Sequence, residues 1–315
     1  MKKYTILLYG ILFSLIVPLS SCSSDDTDKI DIPLTADIFN SVNGKKVAFQ
    51  GLTNNAVSWM WDFGDGNTSS EKNPVHTYAD GGYYETSLVA TAADGSTVSK
   101  EMRLAVDLTP YILLTGGPTA ENGKTWRLAS SHSDSDYFAN ADASLSPFKG
   151  APMPLPAGIF GAGLGMGEVY EDEFTFYFDG NYAHDVKSDG ASLSGLVYQL
   201  VTTGGAGIRN PSADQSFGLC TGAYTPDDSA TFTYEESEDL TIPSVYGPGM
   251  SLTYKGVSTL DFSGTEFVGF MDFQRKIIVQ EIQDSSMRLA MFMAASPDAI
   301  GINTHALVLT FEAVK

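Results

Sequence analysis

From Lys46 to Phe311 the chain repeats one pattern: short runs in which apolar and polar residues alternate, separated by turns rich in glycine. The runs include Lys46-Val47-Ala48-Phe49, Val57-Ser58-Trp59-Met60-Trp61, Tyr83 to Ala90 and Met102 to Val106, and no segment among them has a helical period. Asp65-Gly66, Asp94-Gly95 and Asp179-Gly180 supply hairpin-type turns. A period of two puts alternate side chains on opposite faces of a strand, so brief runs punctuated by such turns predict antiparallel sheets with one buried face. The expected fold class is all-β, with more than one domain across 315 residues.

The first residues do not belong to that pattern. Met1-Lys2-Lys3 is positive, Ile6 to Leu19 is almost wholly apolar, and the run closes on Leu19-Ser20-Ser21-Cys22. A run this short falls below the roughly 20 residues of a membrane-spanning helix and has the layout of a secretory signal. A small-residue stretch ending on Cys resembles the lipobox of bacterial lipoproteins. That resemblance implies a signal peptide over residues 1–21 and acylation of Cys22. Residues 22–31 are polar and acidic (Ser23-Ser24-Asp25-Asp26-Thr27-Asp28-Lys29) and cannot bury a core, so they are expected to act as a flexible tether. An acidic segment directly behind the acylated Cys resembles the surface-export signal of Bacteroidetes lipoproteins, which implies the outer membrane, facing the medium.

Only one other cysteine, Cys220, is present. With Cys22 lipidated there is no partner for an intramolecular disulfide, and the fold must rest on its core. Residues 1–21 hold two lysines and no acid, so their removal takes the formal charge from −20 to −22. Such a surface repels phosphate backbones and argues against nucleic acid as a partner.

Within residues 32–108, Trp61-Asp62-Phe63-Gly64-Asp65-Gly66 is followed by Asn73-Pro74-Val75-His76-Thr77-Tyr78 and by Gly82-Tyr83. This order and spacing resembles the polycystic kidney disease (PKD) domain, an immunoglobulin-like sandwich common as a spacer in bacterial surface proteins. Trp61 is expected to fill the space between two sheets, and Gly64 and Gly66 to take backbone angles closed to other residues. Asp62 and Asp65, beside glycines, are expected to bond their own turn rather than calcium.

Residues 110–315 continue the strand pattern at Lys124-Thr125-Trp126-Arg127-Leu128, Glu173 to Phe178, Ala230 to Tyr234, Ser251 to Tyr254, Lys276 to Ile282, Ser286 to Phe292 and Ala306 to Phe311. A larger antiparallel β-sandwich or jelly roll is expected, with an open barrel as the alternative. Two long stretches rich in Gly, Pro, Ser and Ala, 129–168 and 203–229, are read as loops, which at this length are usually functional. Gly123-Lys124-Thr125-Trp126 together with Tyr170-Glu171-Asp172-Glu173-Phe174-Thr175-Phe176 resembles Bacteroidetes surface lipoproteins that bind glycans for uptake systems. The resemblance implies an extracellular polysaccharide or oligosaccharide as ligand, and an outer-membrane importer with its other surface lipoproteins as partners. Aromatic rings pack on the C–H faces of sugars while carboxylates take the hydroxyls, so Trp126, Tyr137, Phe138, Tyr170, Glu171 and Glu173 are the candidate ligand-binding residues.

The rival chemistry is glycoside hydrolysis. Glu171 and Glu173, two apart, share a face if both lie in a strand, as a carboxylate pair for hydrolysis would require. A third reading is an adhesion or structural protein without a small ligand. Asp134-Ser135-Asp136 with Asn140 and Asp142 echoes a calcium loop but lacks the central Gly and closing Glu of an EF-hand. His132, His184 and His305 show no zinc spacing, and Cys220, on a Gly-flanked apolar stretch, suits a buried small residue. The sequence therefore predicts a surface glycan-binding lipoprotein without catalytic residues and without a required cofactor.

Overall fold

A computed structural model describes residues 32–212 and 217–315. Cys22, the signal peptide and the tether lie outside the described residues.

Seven strands form the N-terminal sandwich: β1 (Thr35–Asn43), β2 (Lys46–Asn54), β3 (Ser58–Asp62), β4 (Thr68–Ser69), β5 (Val75–Thr77), β6 (Gly82–Thr91) and β7 (Thr97–Val106). They make a three-stranded sheet, β1-β2-β5, and a four-stranded sheet, β4-β3-β6-β7. Alternation decides which side chains go in. Val47 and Phe49 of β2 face Trp61, Leu88 and Leu104, while their neighbours Lys46, Ala48 and Gln50 face water. Trp61 is fully buried, packs at a tilt against Phe49 with ring centres 5.3 Å apart, and donates its indole N–H to the Glu71 carbonyl at 3.0 Å. Gly64 has φ +79°, and a Cβ there would lie 2.5 Å from the Glu85 carbonyl oxygen, so no other residue fits the turn. The two acids of that turn bond as expected. Asp62 accepts from Gly64 N at 2.9 Å and Asp65 from Asn67 N at 3.0 Å, and Asp65 also meets His76 Nε2 at 2.7 Å.

After β7, Pro110 opens a short helix, α1 (Pro110–Thr115), whose first turn is capped by Thr109 and which ends at Gly116 in the left-handed region. The C-terminal strands are β8 (Lys124–Leu128), β9 (Tyr137–Asn140), β10 (Glu173–Phe176), β11 (Tyr182–Asp185), β12 (Ala191–Gly195), β13 (Ile208–Pro211), β14 (Leu219–Ala223), β15 (Phe232–Pro243), β16 (Ser251–Phe262), β17 (Ile277–Ile282), β18 (Ser286–Met293) and β19 (His305–Ala313). A second helix, α2 (Leu196–Thr203), follows β12. The principal sheet runs β11-β10-β8-β19-β18-β17-β16-β15 and is antiparallel throughout. It curls until its outer strands meet: Asn181 bridges Thr231, Tyr182 N donates to Ala230 O at 2.9 Å, and Phe232 N donates to Gly180 O at 3.0 Å. The all-β expectation holds, with a PKD sandwich followed by a larger antiparallel domain whose sheet takes the curled, barrel-like form.

β18 and β19 carry the deepest burial. Leu289, Met291, Leu307, Leu309 and Phe311 enter the main core with Trp126, Phe174 and Phe176, while Ala290, Phe292, Ala306 and Val308 enter a second core on the opposite face. Burial on both faces explains why these strands read as nearly continuous apolar runs rather than clean alternation.

The two long loops contain strands that the sequence did not announce. β9 pairs with β19 from Tyr137↔Val308 to Asn140↔His305, while β8 pairs with the other half of the same edge. Between them, at Thr310, the ladder is completed by a side chain. Asp136, fully buried, accepts from Thr310 N at 3.0 Å, Thr310 Oγ1 at 2.5 Å, Ser133 Oγ at 2.6 Å and His132 Nδ1 at 2.9 Å. Burial pushes its carboxyl up, but these four donors win and hold it below its ordinary value. Asp136→Ala leaves the Thr310 amide and His132 Nδ1 without partners inside the protein, and should destabilise the domain by about 3 kcal/mol in denaturant unfolding.

Candidate functional site

The six residues singled out in the sequence do not form one site. Trp126 is fully buried, with its indole N–H donated to Leu114 O at 2.9 Å, and Phe138 is buried at 4% exposure against Phe160 and Phe217. Both are core residues; Trp126 is covered completely, and Phe138 shows only an edge to a small apolar cavity it shares with Phe148, Phe217 and His305. Phe138 was expected on a loop, but its pairing with Leu307 in the sheet turns it inward. Tyr170 is half-buried. Its hydroxyl meets His132 Nε2 at 2.8 Å and accepts from Phe160 N at 3.1 Å, so it ties two loop segments together instead of projecting. Tyr137 packs against the second core.

The acidic pair also separates. β10 starts at Glu173, so Glu171 sits in the preceding turn, bonded through its amide to Glu168 O at 2.7 Å, and the strand alternation never reaches it. Glu173 pairs with Lys187 Nζ at 2.7 Å, Glu168 accepts from Ser188 Oγ at 2.8 and 3.0 Å, and Glu171 is exposed. The residue between them, Asp172, is the one turned inward. It is 1% exposed and accepts from Ser192 Oγ at 2.6 Å with one carboxyl oxygen, while the other meets no donor among the described residues. Burial raises its pKa to about 8.

The loop acids that echoed a calcium site hold their own chain. Asp142 accepts from Ser144 N, Ser144 Oγ, Ser146 N and Ser146 Oγ, and Asp136 is saturated as described above. Among the described residues no three His, Cys, Asp or Glu side chains are grouped to hold a metal. Cys220 is fully buried, and burial pushes its thiol up to about 12. It packs as a small apolar residue and is not poised as a nucleophile.

What the sheet does build is a trough on the outer face of β16, β17 and β18, with a volume near 510 Å³. Its apolar part is chiefly the half-buried Val257, with only the edges of Ile278 and Tyr254, which belong to the second core at 4% and 6% exposure; Ser144, Ser258, Gln280 and Arg288 bring polar groups to it. Loop 142–146, held by Asp142, forms one bank, and Tyr254 donates its hydroxyl to Asp142 O at 3.0 Å. Leu145 on this bank has φ +49°, a backbone conformation rare for a residue with a side chain, and its side chain is anchored in the second core. Arg288 is oriented by Glu281 at 2.8 Å and by Gln280 Oε1 at 3.2 Å. Tyr137, the one sequence candidate near this region, packs on the same core within the fields of Arg288 and Asp142. The trough therefore presents aliphatic floor, guanidinium, amide and hydroxyl together, and no carboxylate lines it. Its residues escaped sequence reading because Tyr254 and Arg288 looked like ordinary strand members; the trough exists only where loop 142–146 is laid beside the strands.

Residues 38–106 match the PKD domain family, so the chain contains a PKD domain. Collagenase ColQ1 of Bacillus cereus (strain Q1) is 30% identical over 98 residues, 31% of this chain and 10% of that protein. The pre-pro-metalloprotease PrtV of Vibrio cholerae is 39% identical over 59 residues, 19% of this chain and 6% of that protein. The chain spans a tenth or less of the length of these curated relatives. Among solved structures, the PKD1 domain of Vibrio cholerae PrtV is 32% identical, covering 24% of this chain and all of that one, at a TM-score of 0.24. A carbohydrate-binding module of the beta-sandwich superfamily aligns over 90% of this chain and 92% of its own at 12% identity, also with a TM-score of 0.24. Scores this low carry no argument about fold or ligand.

Asp172 gives a pH test. Its pKa rises from an ordinary 3.8 to about 8 on folding, so the folded state holds the proton more tightly. Its contribution is full below pH 4 and is lost as pH rises through 8. Asp172→Asn should unfold at the same temperature as the parent at pH 4 to 5 and roughly 3–6 °C higher at pH 9, read from thermal melts.

Proposed function

We propose that this chain is a cell-surface lipoprotein that binds an extracellular glycan without cleaving it, as part of a polysaccharide capture and uptake system. The observation that carries this reading is the trough on β16 to β18. A small apolar floor, chiefly Val257, can take the C–H face of a sugar and is edged by Arg288, Gln280, Ser258 and Ser144, donors and acceptors of the kind that meet hydroxyls. Its volume suits one or two sugar residues of a longer chain lying across the face. In this reading the PKD domain is the spacer, and Cys22, acylated, fixes the protein to the outer membrane of a Bacteroidetes cell, where an importer and other surface lipoproteins receive the captured glycan.

Affinity electrophoresis of the full chain against a panel of plant, algal and host polysaccharides tests the binding. Retention by at least one is expected, and Gln280→Ala with Arg288→Ala should weaken it roughly tenfold or more. A chain that no polysaccharide retards would overturn the reading. For the anchor, cells expressing Cys22→Ser should release the protein from the membrane fraction and fail to incorporate labelled palmitate. Unchanged membrane retention and labelling would exclude Cys22 as the lipidated residue.

A further inference from the structure

A second cavity, near 530 Å³, lies where the PKD sandwich meets the curled sheet. One wall is the outer face of β6 and β7, with Tyr83, Glu85 and Arg103. The other is Lys124 at the start of β8 and Asp284 in the β17–β18 turn, and Thr119 and Ala120 close it from the connection after α1. Several of these groups are already engaged. Tyr83 donates its hydroxyl to Asp284 Oδ1 and Thr119 Oγ1 donates to Tyr83 O at 2.6 Å, which joins the domains, while Lys124 Nζ donates within the C-terminal domain to Leu113 O at 2.8 Å and Asp284 O at 2.6 Å.

Arg103 is different. Its guanidinium carbon lies 4.3 Å from the centre of the Tyr83 ring, over its face, and the group makes no hydrogen bond among the described residues. Its ion-pair partner, Glu85, is 4.0 Å from Nε, and both side chains are mostly exposed, 62% and 76%. Such a pair contributes little. Asp284 and Lys124 lie within its field across the cleft. The cleft thus presents a planar fork of N–H donors held only by a weak, exposed ion pair, beside a second cation in Lys124 and beside oxygens on Glu85, Asp284 and Thr119 that can meet hydroxyls. A guanidinium fork of this kind recognises carboxylates bidentately, and stacking on an aromatic ring reduces the order lost on binding.

We infer that this interdomain cleft is a binding site for sugar acids, with a uronate carboxylate on Arg103 and the sugar hydroxyls on Glu85, Asp284 and Thr119. The site is separate from the trough and does not rest on it. The PKD domain then supplies half of a binding site as well as length, because Arg103, Tyr83 and Glu85 all belong to it.

Polygalacturonate and its fully methyl-esterified form share a backbone and differ in charge, so they separate carboxylate recognition from general glycan binding. Affinity electrophoresis and calorimetry on the full chain should show the free acid bound at least tenfold more tightly than the ester. Arg103→Gln should abolish that preference, and Glu85→Gln, which removes the competing carboxylate, should strengthen binding of the free acid several-fold. Arg288→Ala, in the trough, should leave it unchanged. Equal binding of acid and ester, no binding of the acid, indifference to Arg103→Gln, or loss of acid binding in Arg288→Ala would each overturn the proposal. The last outcome would leave the trough reading standing. Melting temperatures of the variants within about 2 °C of the parent exclude misfolding as the cause, as expected for exposed positions.

Discussion

The curled domain depends on one strand, β19, and on how its ladder is completed. β19 pairs with β18 along its whole length on one edge and with β8 and β9 in succession on the other. The step between those two partners would leave the Thr310 amide unpaired inside the protein, where an orphan donor costs about 1–3 kcal/mol. Asp136 supplies the acceptor, and its remaining lone pairs collect Ser133, Thr310 Oγ1 and His132. His132 in turn reaches Tyr170, and Tyr170 reaches the Phe160 amide, so one buried carboxylate fixes the segments from 132 to 170 against the sheet.

Fixing those segments also shapes the outer face. Their second part, anchored by Asp142 and by Tyr246, whose hydroxyl donates to Asn140 Oδ1 at 2.9 Å, lies over β16 and β17 and makes a trough out of what would otherwise be a flat strand surface. The polar groups that line the trough are held by neighbours rather than by the core, so they can meet a ligand without uncovering apolar surface.

A different balance governs the small sheet β12-β14-β13 that covers one side of the main core. Two carboxyls press against β12. Asp172 bonds Ser192, and Asp272 lies so close to Gly195 that a Cβ there would be 2.0 Å from Oδ2. Burial raises Asp172 to about 8 and Asp272 to about 7, so folding favours the neutral forms of both, which can be buried at far lower cost than charges. The same strand is therefore sensitive to alkaline pH while the Asp136 network, whose carboxyl is held low, is sensitive to acid.

The PKD domain was legible because its motif is local: Trp61, Gly64 and the Asp-Gly turn act within a few residues of one another, and each has one physical role that few other residues can fill. The β-class of the remainder was legible for the same reason, since a period of two is visible in any six-residue window. The sites were not. Trp126, Phe138 and Tyr170 looked like ligand contacts because aromatic residues near glycine-rich stretches look alike whether they cover a core or a sugar, and β9 was hidden inside a stretch read as loop. Glu171 and Glu173 looked paired until the strand proved to begin at Glu173. The sequence by itself determined the strand pattern, the PKD turn chemistry and the buried character of Cys220. Only the tertiary structure decided where the sheet carries a trough and which cations line the cleft, because both depend on contacts between residues far apart in the chain.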